Sequence, residues 1–234
     1  MHSSLAKRNA YTGIGLAVLA TLIWSANFVI ARGVITEIPP VSLAFYRWLL
    51  ATLIIAPFAW RSFKAEWPVV KRSWRYLFFV AVTGVSMFNT FVYIGGHYTS
   101  AINLTLIGTS TSPVIAVLLA RIFLKEPIGW LKAAAMMLCI AGVLFLIVKG
   151  DIENFLSLKF TKGDLWVLMA AVAFAVYHTL VRKKPAGISP VSFLFCIFCL
   201  GTILLAPFYL YEVSSAARVK WSTDLLLIIL YLVI

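Results

Sequence analysis

The sequence predicts an all-α polytopic membrane protein with inverted five-helix repeats. Three observations carry this: a composition poor in charge, a series of apolar runs long enough to cross a bilayer, and an internal repeat of 150 residues. The 234-residue chain is 62% hydrophobic and only 12% charged, with a mean hydropathy of +0.98. Soluble domains carry about twice that charge. A formal net charge of +12 would suit nucleic acid in a soluble chain. In a membrane protein Lys and Arg gather at the cytoplasmic ends of helices, so a lipid bilayer is the expected partner and nucleic acid is not.

Runs near or above the ~18 residues needed for a spanning helix lie at 13–31, 41–60, 76–95, 101–120, 129–148, 164–181 and 191–210. They predict seven full transmembrane helices. The chain ends in "LLLIILYLVI", residues 225–234, which cover roughly 15 Å, about half of the ~30 Å hydrocarbon core, and read as part of an eighth. The first run exceeds a signal-peptide core and others follow it, so it reads as an uncleaved helix after a cytoplasmic tail at 1–12. An N-in orientation places twelve Lys and Arg on the cytoplasmic side: Lys7, Arg8, Arg61, Lys64, Lys71, Arg72, Arg75, Arg121, Lys125, Arg182, Lys183 and Lys184. Six fall on the other side: Arg32, Lys149, Lys159, Lys162, Arg218 and Lys220. That bias predicts a cytoplasmic N-terminus and a periplasmic linker at 149–162.

Shifted by 150 residues, "RGVITEIPPVSLAFYRWLLATLIIAPF" (32–58) falls without a gap on "RKKPAGISPVSFLFCIFCLGTILLAPF" (182–208). Arg32 meets Arg182, both "PVS" and "APF" recur, and upstream Gly13 meets Gly163. Lipid-facing sequence has no general need for Pro, Ser and Arg at fixed places, so the match is read as a repeat. Five spans in 13–148 are an odd number, so a second copy beginning at 163 enters the membrane from the other side. Ile234 then corresponds to Gly84, in the middle of the third span. The expectation is an incomplete second repeat at 163–234, cut from a ten-helix protein.

These features resemble the drug/metabolite transporter superfamily, and within it the EamA-type transporters. The resemblance is carried by "LIWSANFVIARGV", "PPVSLAFYRWLLATLIIAPF", the stretch from "YTSAINLTLIGTSTSPVIAVLLARIFLKEPIGW" to "LFLIVKG", and "GDLWVLMAAVAFAVYHTLVRK". It covers residues 13 to about 210. It departs from the family pattern at the ending and at Phe174, where Trp is common. The resemblance implies ten helices with both termini inside, and export or exchange of small metabolites across a bacterial inner membrane.

Polar groups inside a span need partners, and so mark helix contacts or a cavity. Ser86, Asn89, Thr90 and Tyr93 share one face of the third span, and Thr105, Thr109 and Ser112 one face of the fourth, just before Pro113. The hydroxyl residues have a plain alternative, bonding their own backbone. Asn27 and Asn89 do not, because an amide cannot satisfy its donors and acceptor on its own helix. Trp24 reads as an aromatic wall, and the 150 shift brings Phe174, Tyr177 and His178 onto Trp24, Asn27 and Phe28. Arg47, two turns into the second span, reads either as a site for an anionic substrate or as a structural pin. His178 reads as a proton relay or a packed histidine. Lys132 and Arg121 read as snorkelling side chains. The candidate substrate-binding set is therefore Trp24, Asn27, Arg47, Ser86, Asn89, Tyr93, Thr109, Tyr177 and His178.

No carboxylate is expected mid-membrane, which leaves no acidic relay for proton or cation coupling. Cys139, Cys196 and Cys199 read as packing residues, and no cofactor or metal is expected. The leading reading is a secondary carrier of small organic metabolites, such as amino acids or related compounds. Two alternatives stand beside it: an inactive or partner-requiring fragment of such a carrier, and a membrane enzyme built on Ser86 of "GVSM" with His178 as base. The second separates the two groups by more than about 10 Å in depth. Small residues near "CIAG" would permit a homodimer.

Overall fold

The computed structural model describes residues 2–147, 161–215 and 218–233. Of the expected 149–162 linker, only the last two residues fall within them. All regular structure among the described residues is helical. The helices are α1 (His2–Gly33), α2 (Pro40–Arg72), α3 (Trp74–Tyr98), α4 (Ala101–Leu124), α5 (Trp130–Ile147), α6 (Lys162–Val181), α7 (Pro190–Ser214) and α8 (Thr223–Val233). Six, α1–α4, α6 and α7, are long and apolar enough to cross a membrane; α5 and α8 supply shorter apolar helices, Trp130–Gly142 and Thr223–Val233. This makes the chain an all-α polytopic membrane protein. The sequence reads a full span at 129–148, but its last residue lies outside the described ones, which leaves α5 at the margin of spanning length.

Two boundaries differ from expectation. The stretch read as a tail, 1–12, is helical from His2. The helix expected over the apolar run 41–60 continues as α2 to Arg72, through Pro57 and Pro68. Residues 61–67 contain no glycine and are mostly competent helix formers, and near Pro68 water can satisfy the carbonyl that the ring leaves without an N–H. The basic residues of this segment therefore project on a helical extension rather than on a loop.

The chain alternates between two faces. On one, the Arg32 guanidinium at the end of α1 donates to the Gly96 carbonyl near the end of α3 (2.7 Å), and the Lys220 amide before α8 donates to the Glu37 carbonyl (2.8 Å). There too Thr99 donates to Asp164 (3.0 Å), which forms a capping box with Thr161 at the start of α6. On the other face the α4–α5 turn meets the end of α6, where Arg182 and Glu126 form an ion pair at 2.7 Å. Odd and even helix ends gather on opposite faces, as a chain that crosses and recrosses a slab requires.

The core centres on the antiparallel pair α2 and α7. Partner positions run in opposite directions along them: Ser42 with Glu212, Tyr46 with Tyr209, Thr52 with Thr202, Phe63 with Phe195, and Glu66 with Ser189. Thr52 and Thr202, which correspond in the 150-residue match, approach to 3.4 Å between hydroxyl oxygens. An antiparallel twofold pairing of the matched segments puts equivalent residues together where its axis passes. Each helix also supplies a carboxylate to the other's first turn. Glu212 accepts from the Val41 and Ser42 amides (3.1 and 2.6 Å) and the Ser42 hydroxyl (2.7 Å), and Glu66 accepts from the Ser189 amide (2.9 Å). A helix N-terminus has unpaired N–H groups and a positive dipole end, so a carboxylate serves both needs.

Between Val82 and Met87, α3 widens into a π turn. Two glycines let helices close on it. A Cβ on Gly84 would lie 2.1 Å from the Tyr177 ring of α6, and one on Gly201 of α7 would lie 2.1 Å from Val85. The π turn rotates the register of everything after it, including Asn89 and Tyr93, relative to a continuous α-helix. Outward sides carry exposed Leu53, Phe58, Phe123, Ile203 and Leu210, as surfaces facing hydrocarbon do.

Candidate functional site

Three helices deliver polar side chains to one point. Asn27 comes from α1, Arg47 from α2, and Asn89 and Tyr93, four apart and so on one face, from α3. The two hydrogens of a single guanidinium nitrogen, Nη1 of Arg47, serve three acceptors, one hydrogen being shared: Asn27 Oδ1 (2.9 Å), Asn89 Oδ1 (2.7 Å) and the Tyr93 hydroxyl (2.8 Å). The Tyr93 hydroxyl in turn donates to Asn27 Oδ1 (3.2 Å). Asn89 and Tyr93 are 3% and 1% exposed, while Arg47 is only half-buried. Arg47 lies seven residues beyond Pro40, about 10 Å along the helix and within its apolar run. Its Cζ lies 5.0 Å from the centre of the Trp48 ring, a cation–π distance. Beside the cluster in sequence, Trp48 Nε1 and Thr90 Oγ1 are buried without a hydrogen-bond partner among the described residues.

The electrostatics are one-sided. All three acceptors on Arg47 are neutral, and among the described residues no carboxylate pairs with it. The acids of the spanning helices and their ends are engaged elsewhere: Glu66 and Glu212 at helix starts, Asp164 in its capping box, Glu126 with Arg182. The cluster thus presents a positive charge held rigidly by neutral oxygens.

Four of the nine residues singled out from the sequence, Asn27, Arg47, Asn89 and Tyr93, are brought together here. The side chain of Trp24 lies outside the described residues. The Ser86 hydroxyl donates to the Gly201 carbonyl (3.2 Å), a clasp between α3 and α7. The Thr109 hydroxyl returns to the Thr105 carbonyl on its own helix (2.6 Å), and the residue is exposed. Tyr177 and His178 join a separate aromatic group: Phe174 stacks on Phe88 at 4.3 Å between ring centres, with the His178 ring edge-on to Phe174 at 4.2 Å. Sequence reasoning singled out neither Trp48 nor the caps Glu66 and Glu212. The two acids lie one helical turn out of the 150-residue register, a signal that could have linked them.

Crossing helices, an antiparallel central pair and a charged polar cluster inside the apolar layer define a multi-pass membrane protein of the transporter class. The chain belongs to the EamA-like transporter family, whose pattern matches residues 11–148 and 161–234. It is similar to an uncharacterized transporter of Archaeoglobus fulgidus, 31% identical over 93% of this chain and 73% of that one. It is also similar to the uncharacterized transporter YyaM of Bacillus subtilis, 29% identical over 77% of this chain and 59% of that one. The uncharacterized inner membrane transporter YhbE of Escherichia coli is 25% identical over 86% of this chain and 63% of its own length. The chain therefore spans about three fifths to three quarters of the length of these relatives.

Proposed function

We propose that the protein is a secondary carrier of small organic metabolites, amino acids or related compounds among them, with the Arg47 cluster as part of its substrate site. The observation that carries this is the convergence of Asn27, Arg47, Asn89 and Tyr93 from three helices inside the apolar layer. A polar cluster with a permanent charge is costly in hydrocarbon, and such residues mark solute pathways in membrane proteins. The antiparallel α2–α7 pair supports reading the two segments as inverted repeats, 13–148 and 163–234, that rock about their shared axis and expose the site to each side in turn. The face that gathers Arg61, Lys64, Arg72, Arg121, Lys125 and Arg182 is assigned to the cytoplasm of a cell whose inner membrane holds the protein, with the N-terminus on the same side.

The test is flux into vesicles carrying wild type, Asn89→Ala or Tyr93→Phe, with equal membrane insertion verified for each. Lowered flux with unchanged insertion supports the assignment. Equal flux in all three removes it.

A further inference from the structure

We infer that the site takes an organic carboxylate, bound as a singly charged anion by Arg47; this rests on the carrier reading and sharpens it. A guanidinium used only to hold α1, α2 and α3 together would be a poor choice of pin. Neutral donors can bond Asn27, Asn89 and Tyr93 equally well without leaving a positive charge unmatched in an apolar layer. Arg47 spends one nitrogen, Nη1, on all three protein acceptors. Its Nη2 and Nε donors hold no acceptor among the described residues. Those groups form a planar, two-pronged edge, the geometry that a carboxylate accepts with both oxygens.

Charge counting selects the anion. One guanidinium is neutralised by one carboxylate, whereas a phosphate dianion would leave the site negative with no second cation contacting Arg47 among the described residues. The neutral oxygens Asn27 Oδ1 and Asn89 Oδ1 already accept from Arg47, and among the described residues no acid contacts this cluster to pair with an ammonium group. An amine is therefore not part of what the site recognises by charge, and a net-anionic acid fits better than a cationic drug-like solute. The guanidinium lies over the Trp48 ring at 5.0 Å, and that ring packs on Phe198 at 4.7 Å between centres.

The experiment uses the full chain in lipid nanodiscs and follows binding by calorimetric titration at pH 7. The probes are 4-methylpentanoate and 3-phenylpropanoate, each against its own amide and the matching amine, with inorganic phosphate as a further arm. A charge-assisted bidentate contact predicts that at least one acid binds about tenfold or more tightly than its amide. Arg47→Gln is expected to abolish that preference. The acid–amide comparison in wild type needs no variant, so it decides even if Arg47→Gln does not fold. Amides or amines binding as well as the acids, phosphate binding in their place, or no acid binding at all each overturn the carboxylate assignment. The site assignment fails separately, by equal flux in wild type, Asn89→Ala and Tyr93→Phe, and the carrier reading fails if wild-type vesicles show no more flux than protein-free ones.

Discussion

Asn89→Asp is the most informative single change, because it places a carboxylate where the structure has the amide oxygen 2.7 Å from Arg47 Nη1. The two charge centres would lie about 4 Å apart, and at an effective dielectric near 20 their attraction is about 4 kcal/mol. The neutral hydrogen bond it replaces contributes about 1 kcal/mol net, or up to about 3 because its donor is charged. Desolvating the new carboxylate offsets part of this gain, since Asn89 is 3% exposed. A double-mutant cycle with Arg47→Gln cancels that cost and isolates the pair. We expect the introduced carboxylate to couple to Arg47 by about 2 kcal/mol more than the Asn89 amide does. The assay is reversible unfolding in mixed micelles titrated with denaturing detergent, with the cycle repeated for Asn89→Ala. Flux should be lost in Asn89→Asp although the fold is held, because a built-in anion takes the place of the substrate. A coupling below about 0.5 kcal/mol, within the scatter of independent sites, would refute the contact geometry. Undiminished flux would refute the role given to the free charge.

Other outcomes follow from the helix contacts. Thr52→Cys with Thr202→Cys, in a chain whose native cysteines are replaced, should cross-link under mild oxidation, read as protection from splitting after cleavage between α2 and α7; the hydroxyls are 3.4 Å apart, and an uncrosslinked pair would contradict the antiparallel register. Gly201→Ala sets a Cβ 2.1 Å from Val85 Cγ1 and should destabilise by about 1–3 kcal/mol, with partial recovery on adding Val85→Ala. Glu212→Gln removes the negative charge at the α2 N-terminus and turns one of the two accepting oxygens into an NH2 that cannot accept, a loss of at least about 0.3–2 kcal/mol; an unchanged denaturation midpoint would show that this contact adds nothing to stability.

The residues of the cluster were legible in the sequence because their chemistry left them few alternatives. An amide or a guanidinium inside a lipid-length run must find a partner on another helix, so Asn27, Arg47 and Asn89 stood out without any structure. Hydroxyls carry no such compulsion, and Ser86 and Thr109 show why. One donates across to Gly201 and the other back to its own helix, outcomes that spacing does not separate. Nothing in the sequence singled out Glu66 or Glu212, because a carboxylate outside one helix's apolar run gives no sign of capping the start of another. That is a matter of which termini share a face.

Composition and the lengths of the apolar runs were enough to determine a membrane protein that crosses repeatedly, because hydrocarbon admits only segments whose backbone bonds are satisfied internally. The 150-residue match was likewise written in the chain, since a repeat is a property of order alone. Only the tertiary structure decided that one nitrogen of Arg47 collects Asn27, Asn89 and Tyr93, and that α2 runs on to Arg72, well beyond its apolar run. Helical register after a π turn, and the docking of one helix on another, depend on packing between segments far apart in sequence, where glycines such as Gly84 and Gly201 set how closely the backbones approach.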